Sequence, residues 1–271
     1  MSRGGGGARG GGIAVDMERS DESKKRLRVR WTHPVPTSEE SLDFETALAE
    51  LRGNDPRPLL ILRDCDFCKG KDHALLDRTL DNEKTLLFTQ WYHCVKLDRR
   101  VVEKSHPWHA IFSDEKPPHL LILSWDGSKR IELDGQQKQS RLWNVLSDIL
   151  SDEYKKSPEL AIKAWQRHLD TFDTIISRRK ELERQLDERL ADGKKVRANK
   201  IEKQLADLEK EYKKTLELEA KTLDLILKRA PKAKTVADFD AEVVEDVQSS
   251  GSSLLDKIRK DKDKSPVGAG N

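Results

Sequence analysis

Apolar positions change their spacing near residue 155. Before that point, short apolar runs are set between turn residues. After it, apolar side chains recur every three or four residues for some seventy positions. Each spacing predicts a different architecture.

In the first half, Leu27, Val29 and Trp31 alternate with Arg26, Arg28 and Arg30, which predicts a half-exposed edge strand. Thr37-Ser38-Glu39-Glu40 fits a capping box with Thr37 as N-cap and Glu40 at N3. Phe44, Ala47, Leu48 and Leu51 then give a helix one apolar face, and Gly53 stops it. Leu59–Leu62 is wholly apolar, as in a central strand. Beyond Cys68 a helix is predicted to about Leu80, with Ala74, Leu76 and Leu80 inward. Tyr92–Leu97 reads as a second central strand and Leu120–Leu123 as a third. Asp126-Gly127 is a hairpin signal, with Lys129–Leu133 returning. A helix over Ser140–Ser151 closes this half.

In the second half, Ser157-Pro158-Glu159 is a helix start, with Ser as N-cap and Pro at N1. Ile162, Trp165, Leu169, Phe172 and Ile176 continue at helical spacing, and Leu182, Leu186 and Leu190 follow after a phase shift. Asp192-Gly193 interrupts. Ile201, Leu205, Leu208, Tyr212, Leu216, Leu223 and Leu227 then make a second run that Pro231 ends. Two long helices joined at a glycine predict an antiparallel coiled-coil hairpin.

The chemically distinctive stretch is Arg63-Asp64-Cys65-Asp66-Phe67-Cys68, directly after the Leu59–Leu62 run. A helix opening at a cysteine presents unpaired N–H groups and partial positive charge, which favours thiolate over thiol. A second cysteine three positions on can resolve a mixed disulfide internally. Asp64 and Asp66 oppose thiolate formation at Cys65, whereas Arg63 and Lys69 favour it. The third cysteine, Cys94, falls inside a predicted strand and reads as packing.

Composition narrows the classes. Of 271 residues, 35% are apolar and 37% charged, so one modest core plus extended charged helix is expected. A net charge of +2 gives no bulk reason to expect nucleic-acid or membrane binding. No apolar run approaches the length of about 20 residues that spans a bilayer, and the glycine-rich start has no signal-like apolar region. A cytoplasmic protein is expected, in which a Cys-x-x-Cys is catalytic or metal-binding rather than structural. Met17 is an alternative start. The expected division is a disordered leader (1–25), a first domain (26–152), a helical hairpin (155–230) and a mostly disordered tail (231–271).

Taken in order, residues 26–152 resemble the thioredoxin-like superfamily, an α/β fold with a central mixed sheet flanked by helices. Three features carry the resemblance: the CxxC between an apolar strand and a helix, Pro118 immediately before the Leu120–Leu123 strand, and the glycine-turned hairpin with its closing helix. The resemblance implies a thiol–disulfide oxidoreductase with no cofactor, acting on protein thiols and disulfides. Cys65 would attack and Cys68 resolve. Pro118, held cis, and its neighbour His119 would receive the substrate. The sequence departs from the family at three points. Asp64 stands for the usual Trp before the first cysteine, Asp66-Phe67 stand for the usual Gly-Pro, and the preceding strand carries no buried acid.

Two alternatives stand beside this reading. In one, the domain is a non-enzymatic scaffold, and the coiled coil binds a partner helix or a second copy. In the other, Cys65 and Cys68 bind zinc. That site would need two more ligands from His93, Cys94, His106 and His109, whose spacing fits no finger pattern.

Overall fold

In the computed structural model, which describes residues 19–65, 74–76, 80–193 and 195–229, the apolar runs of the first half assemble into a five-stranded mixed sheet. Its strands are β1 (Trp31–Thr32), β2 (Leu59–Arg63), β3 (His93–Leu97), β4 (Leu120–Leu123) and β5 (Arg130–Leu133), in the order β1-β3-β2-β4-β5. β1 and β2 run parallel to β3; β4 runs antiparallel to both β2 and β5. The helices are α1 (Asp21–Arg26), α2 (Phe44–Arg52), α3 (Glu83–Thr89), α4 (Gln139–Glu153), α5 (Pro158–Ala191) and α6 (Lys195–Leu223). Two 3₁₀ turns, Arg99–Val102 and His109–Phe112, lie between β3 and β4.

β2 and β4 are buried on both faces, which is why their sequences are continuously apolar rather than alternating. Successive side chains still go to opposite sides. Leu59, Ile61, Leu121 and Leu123 join α2 residues Ala47, Leu48 and Leu51 and the loop residues Trp108, Ile111 and Phe112. Leu60, Leu62, Leu120 and Ile122 face Phe88 of α3, Leu146 and Ile149 of α4, and Ile162, Trp165 and Leu169 of α5.

That second face changes the domain organisation. The first three turns of α5 and Leu225, just beyond α6, belong to the sheet's own core. Trp91 and Trp165 meet edge to face at 5.7 Å. After α6 the chain doubles back along the end of α4. Tyr154 bridges to Leu227, the Lys155 N–H donates to the Ile226 carbonyl, and the Lys228 N–H donates to the Glu153 carbonyl. Through Lys228 the chain is one compact unit. The distal hairpin has a core of its own, formed by Ile175, Leu182, Ile201 and Leu208.

The hairpin is antiparallel, as its cross-pairs show. Trp165 Nε1 donates to Glu219 Oε1 at 2.8 Å, and Arg179 pairs with Glu209 at 2.7 Å. Ser157 caps α5 by accepting from the Leu160 N–H, and Gly193 turns the chain with φ +70°. α6 ends at Leu223, eight positions before Pro231.

Several sequence expectations are corrected. Arg26 ends a helix instead of opening a strand, because Ser20 caps α1 by accepting from the Ser23 N–H. The predicted alternation shrinks to a two-residue β1, and Arg19–Lys25, expected in the disordered leader, are ordered, while residues 1–18 of that leader lie outside the described residues. α2 is capped by Asp43, which accepts from the Thr46 N–H. Thr37, the expected cap, instead donates its N–H to Glu50. Ala74 and Leu75 are buried, but Leu80, expected inward, is 54% exposed. Leu76 is half-buried, and residues 74–76 form a turn rather than the expected helix; residues 69–73 and 77–79 of that prediction lie outside the described residues. α3 was not anticipated, because its buried Thr85 and Thr89 mask the apolar period.

Candidate functional site

Cys65 lies two residues past Arg63, the last residue of β2, and is half-buried and disulfide-bonded. The backbone around it is anchored on both sides. The Arg63 N–H donates to the His119 carbonyl across the β2–β4 ladder. The Asp64 N–H donates to the Leu97 carbonyl at the end of β3; each bond is 2.9 Å. The chain therefore leaves the sheet at a fixed place, between the end of β3 and the start of β4. Cys68 lies outside the described residues.

Pro118 is buried and His119 half-buried at the start of β4. In the β2–β4 register Leu62 pairs with Leu120, which sets Arg63 across from His119. The Arg63 guanidinium reaches over this junction. Its Nη2 donates to the Pro117 carbonyl at 2.9 Å, its Nε to the Pro118 carbonyl at 3.1 Å, and its Nη1 to the carbonyl of Asp64 at 3.4 Å. Burial pulls the Arg63 pKa down, and the nearby Asp134 carboxylate offsets part of that effect.

Among the described residues no peptide bond is cis, so Pro118 is trans, contrary to the expectation from the resemblance. An X–Pro bond prefers trans by about 0.5–1 kcal/mol unless its surroundings decide otherwise. Here the surroundings suit trans, since Arg63 takes the carbonyls of both prolines.

Charges around the site pair in ways the sequence conceals. Lys96 Nζ of β3 lies 3.6 Å from Asp64 Oδ1, close enough for ion pairing but too far for a hydrogen bond; that oxygen is buried without one. The acid beside Cys65 is thus partly offset by a lysine from the neighbouring strand. A lysine inside an otherwise buried central strand was the available signal for it. Lys96 also borders a cleft of about 200 Å³, together with Pro34, Pro36, Asp98, Arg100 and Trp108. His119 Nδ1 pairs with Asp134 Oδ1 just beyond β5, and the Gly135 N–H points at the same nitrogen from 3.3 Å.

Three of the candidate zinc ligands are engaged elsewhere. His93 Nε2 pairs with Thr32 Oγ1 at 3.2 Å, and His106 Nδ1 accepts from the Trp108 N–H. Cys94 is free, buried, and donates to the Thr89 carbonyl. Burial pushes its thiol up to about 12, so it is a packing residue. Among the described residues no group of three His, Cys, Asp or Glu side chains is placed to hold a metal ion. Nor is any helix among them long and apolar enough to cross a membrane.

No family model, no curated protein and no solved structure matches this chain.

Proposed function

We propose that this chain is a thioredoxin-like thiol–disulfide oxidoreductase whose dithiol is Cys65 and Cys68. The observation that carries the reading is the junction of β2 and β4. The strand leading into the CxxC runs antiparallel to a strand introduced by Pro118, and Arg63 clasps the two together. The β1-β3-β2-β4-β5 mixed sheet with helices on both faces supports the same fold assignment.

The reaction needs no cofactor. The Cys65 thiolate attacks one sulfur of a client disulfide. A Cys65–client S–S bond forms, and the other client sulfur leaves as thiolate and takes a proton from water. Cys68, as thiolate, then attacks Cys65. The Cys65–Cys68 disulfide forms and the second client thiolate departs. The client gains two electrons and the dithiol loses two. Lys96 contributes by compensating Asp64, whose charge would otherwise hold Cys65 protonated.

Insulin reduction by the full chain, after reduction with dithiothreitol and desalting, tests this reading. Wild type is expected to reduce insulin in proportion to dithiol present, and Cys65→Ser to be inactive. Equal inactivity of both proteins would favour a non-enzymatic adaptor that uses the helical hairpin. One tightly held zinc per chain would replace the redox reading with a structural one.

A further inference from the structure

The Arg63 guanidinium is half-buried beside the proposed dithiol, yet its hydrogen bonds go only to main-chain carbonyls: Pro117, Pro118 and Asp64. Among the described residues no carboxylate lies within ion-pair distance of it. Neighbouring acids are engaged elsewhere, Asp64 with Lys96 and Asp134 with His119. Three other arginines that are at most half-exposed are paired with carboxylates instead. Arg57 is paired with Asp55 at 2.6 Å, Arg26 with Glu22 and Glu219, and Arg19 with three carboxylates. Asp134 acts on Arg63 only from beyond ion-pair distance, and a half-buried cation so placed gains from a ligand that brings a closer negative charge. A guanidinium has five N–H groups, and three are used here. One remains on each terminal nitrogen, which is the fork that accepts a carboxylate.

We propose that Arg63 is a specificity residue that selects clients carrying a carboxylate close to the disulfide being reduced. This inference rests on the oxidoreductase reading above and names the class of substrate for that site. The carbonyl clasp holds the guanidinium at the β2–β4 junction, so a client acid meets a preorganised charge rather than a free side chain. The two strand ends thereby fix both the cysteine and the charge next to it.

The test uses the reduced full chain and three synthetic peptide disulfides that differ only in the residues flanking the disulfide: glutamate, glutamine or lysine. Wild type is expected to reduce the glutamate peptide on the order of ten-fold more efficiently than the glutamine peptide, with the lysine peptide slowest; this is the scale of one charge-assisted hydrogen bond. The preference should shrink as salt is raised. Arg63→Met is expected to bring the three rates together, and Arg63→Lys to retain a smaller preference. Because Arg63 also clasps Pro117 and Pro118, the readout is the ratio between peptides, which a general loss of structure does not change. Equal rates on all three peptides with active wild type would overturn the inference while leaving the oxidoreductase reading intact. So would an Arg63→Met variant that slows all three alike and preserves their ratio. If wild type reduces none of them, the oxidoreductase reading fails and the inference falls with it.

Discussion

The indole Nε1 of Trp91, ahead of β3, donates to the carbonyl of Leu223 at the end of α6, 2.8 Å away. The two residues are 132 positions apart, and their bond ties the end of the hairpin to the sheet's helical face. With the Trp91–Trp165 contact and the pairing of residues 153–156 against 225–228, it makes the hairpin base part of the sheet's core. A chain truncated after residue 154 would bare Trp91, Leu146 and Leu150. It is expected to lose cooperative unfolding in urea. A single sharp transition close to that of the full chain would restore the division that sequence spacing suggests. In the full chain, Trp165→Ala is expected to cost about 3–5 kcal/mol.

Glu219 is 7% exposed, accepts from Trp165, and pairs with Arg26, whose guanidinium also lies 4.2 Å from the centre of the Phe172 ring. Removing Glu219 leaves Arg26 with Glu22 as its remaining carboxylate and strands the buried Trp165 indole N–H. Glu219→Ala is therefore expected to destabilise by roughly 1–3 kcal/mol. The double variant Arg26→Met, Glu219→Leu should recover part of that loss, because the charge it leaves behind, Glu22, is partly exposed. Urea denaturation of the two variants checks this, and equal losses in both would argue against a coupled pair.

Acid should loosen the N-terminal helix before the sheet. Burial pushes the Asp173 carboxyl up, but hydrogen bonds from Arg19, Ser20 and Ser23 outweigh this and hold it below its usual value. A carboxyl whose folded pKa is depressed stabilises the native state above its unfolded pKa of about 3.9. That contribution is lost as pH falls through the folded value. Between pH 7 and pH 2, wild-type stability should fall more steeply than that of Asp173→Asn, as read by urea midpoints at each pH. Parallel curves would remove Asp173 from the account.

Gly127 turns the β4–β5 connection with φ +74°, and a Cβ placed there would lie 2.6 Å from Leu48 Cδ2 of α2. Gly127→Ala combines left-handed backbone strain with this clash. A loss of roughly 1–3 kcal/mol is expected by thermal or urea unfolding. A neutral result would mean that α2 packs more loosely on the turn than its contact with Leu48 indicates.

The features most legible in the sequence were those set by local pattern. Leu59–Leu62 and Leu120–Leu123 needed burial on both faces, Asp126-Gly127 needed a turn, and Ser157-Pro158 needed a helix start. What stayed hidden depends on partners distant in sequence. α1 is held by Asp173, more than 140 positions away, and of the alternating Arg26–Trp31 stretch that resembled a strand only Arg26 belongs to it. The heptad-like spacing of α5 is the same whether a helix faces its hairpin partner or a sheet. Only the tertiary structure shows that Ile162, Trp165 and Leu169 face the sheet. At the site, the cysteine motif and the proline before β4 were visible. The clasp of Arg63 and the compensation of Asp64 by Lys96 arise from strand register, which no local pattern encodes.

The dithiol assignment is tested most directly by equilibrating the full chain across a series of dithiothreitol ratios and alkylating it at each point. Mass spectrometry then reads the three cysteines separately. Cys65 and Cys68 are expected to change together in one two-electron transition, while Cys94 stays unalkylated in the native protein at pH 8 and reacts only in denaturant. Independent titration of Cys65 and Cys68, or their persistence as free thiols at every ratio, would contradict the assignment.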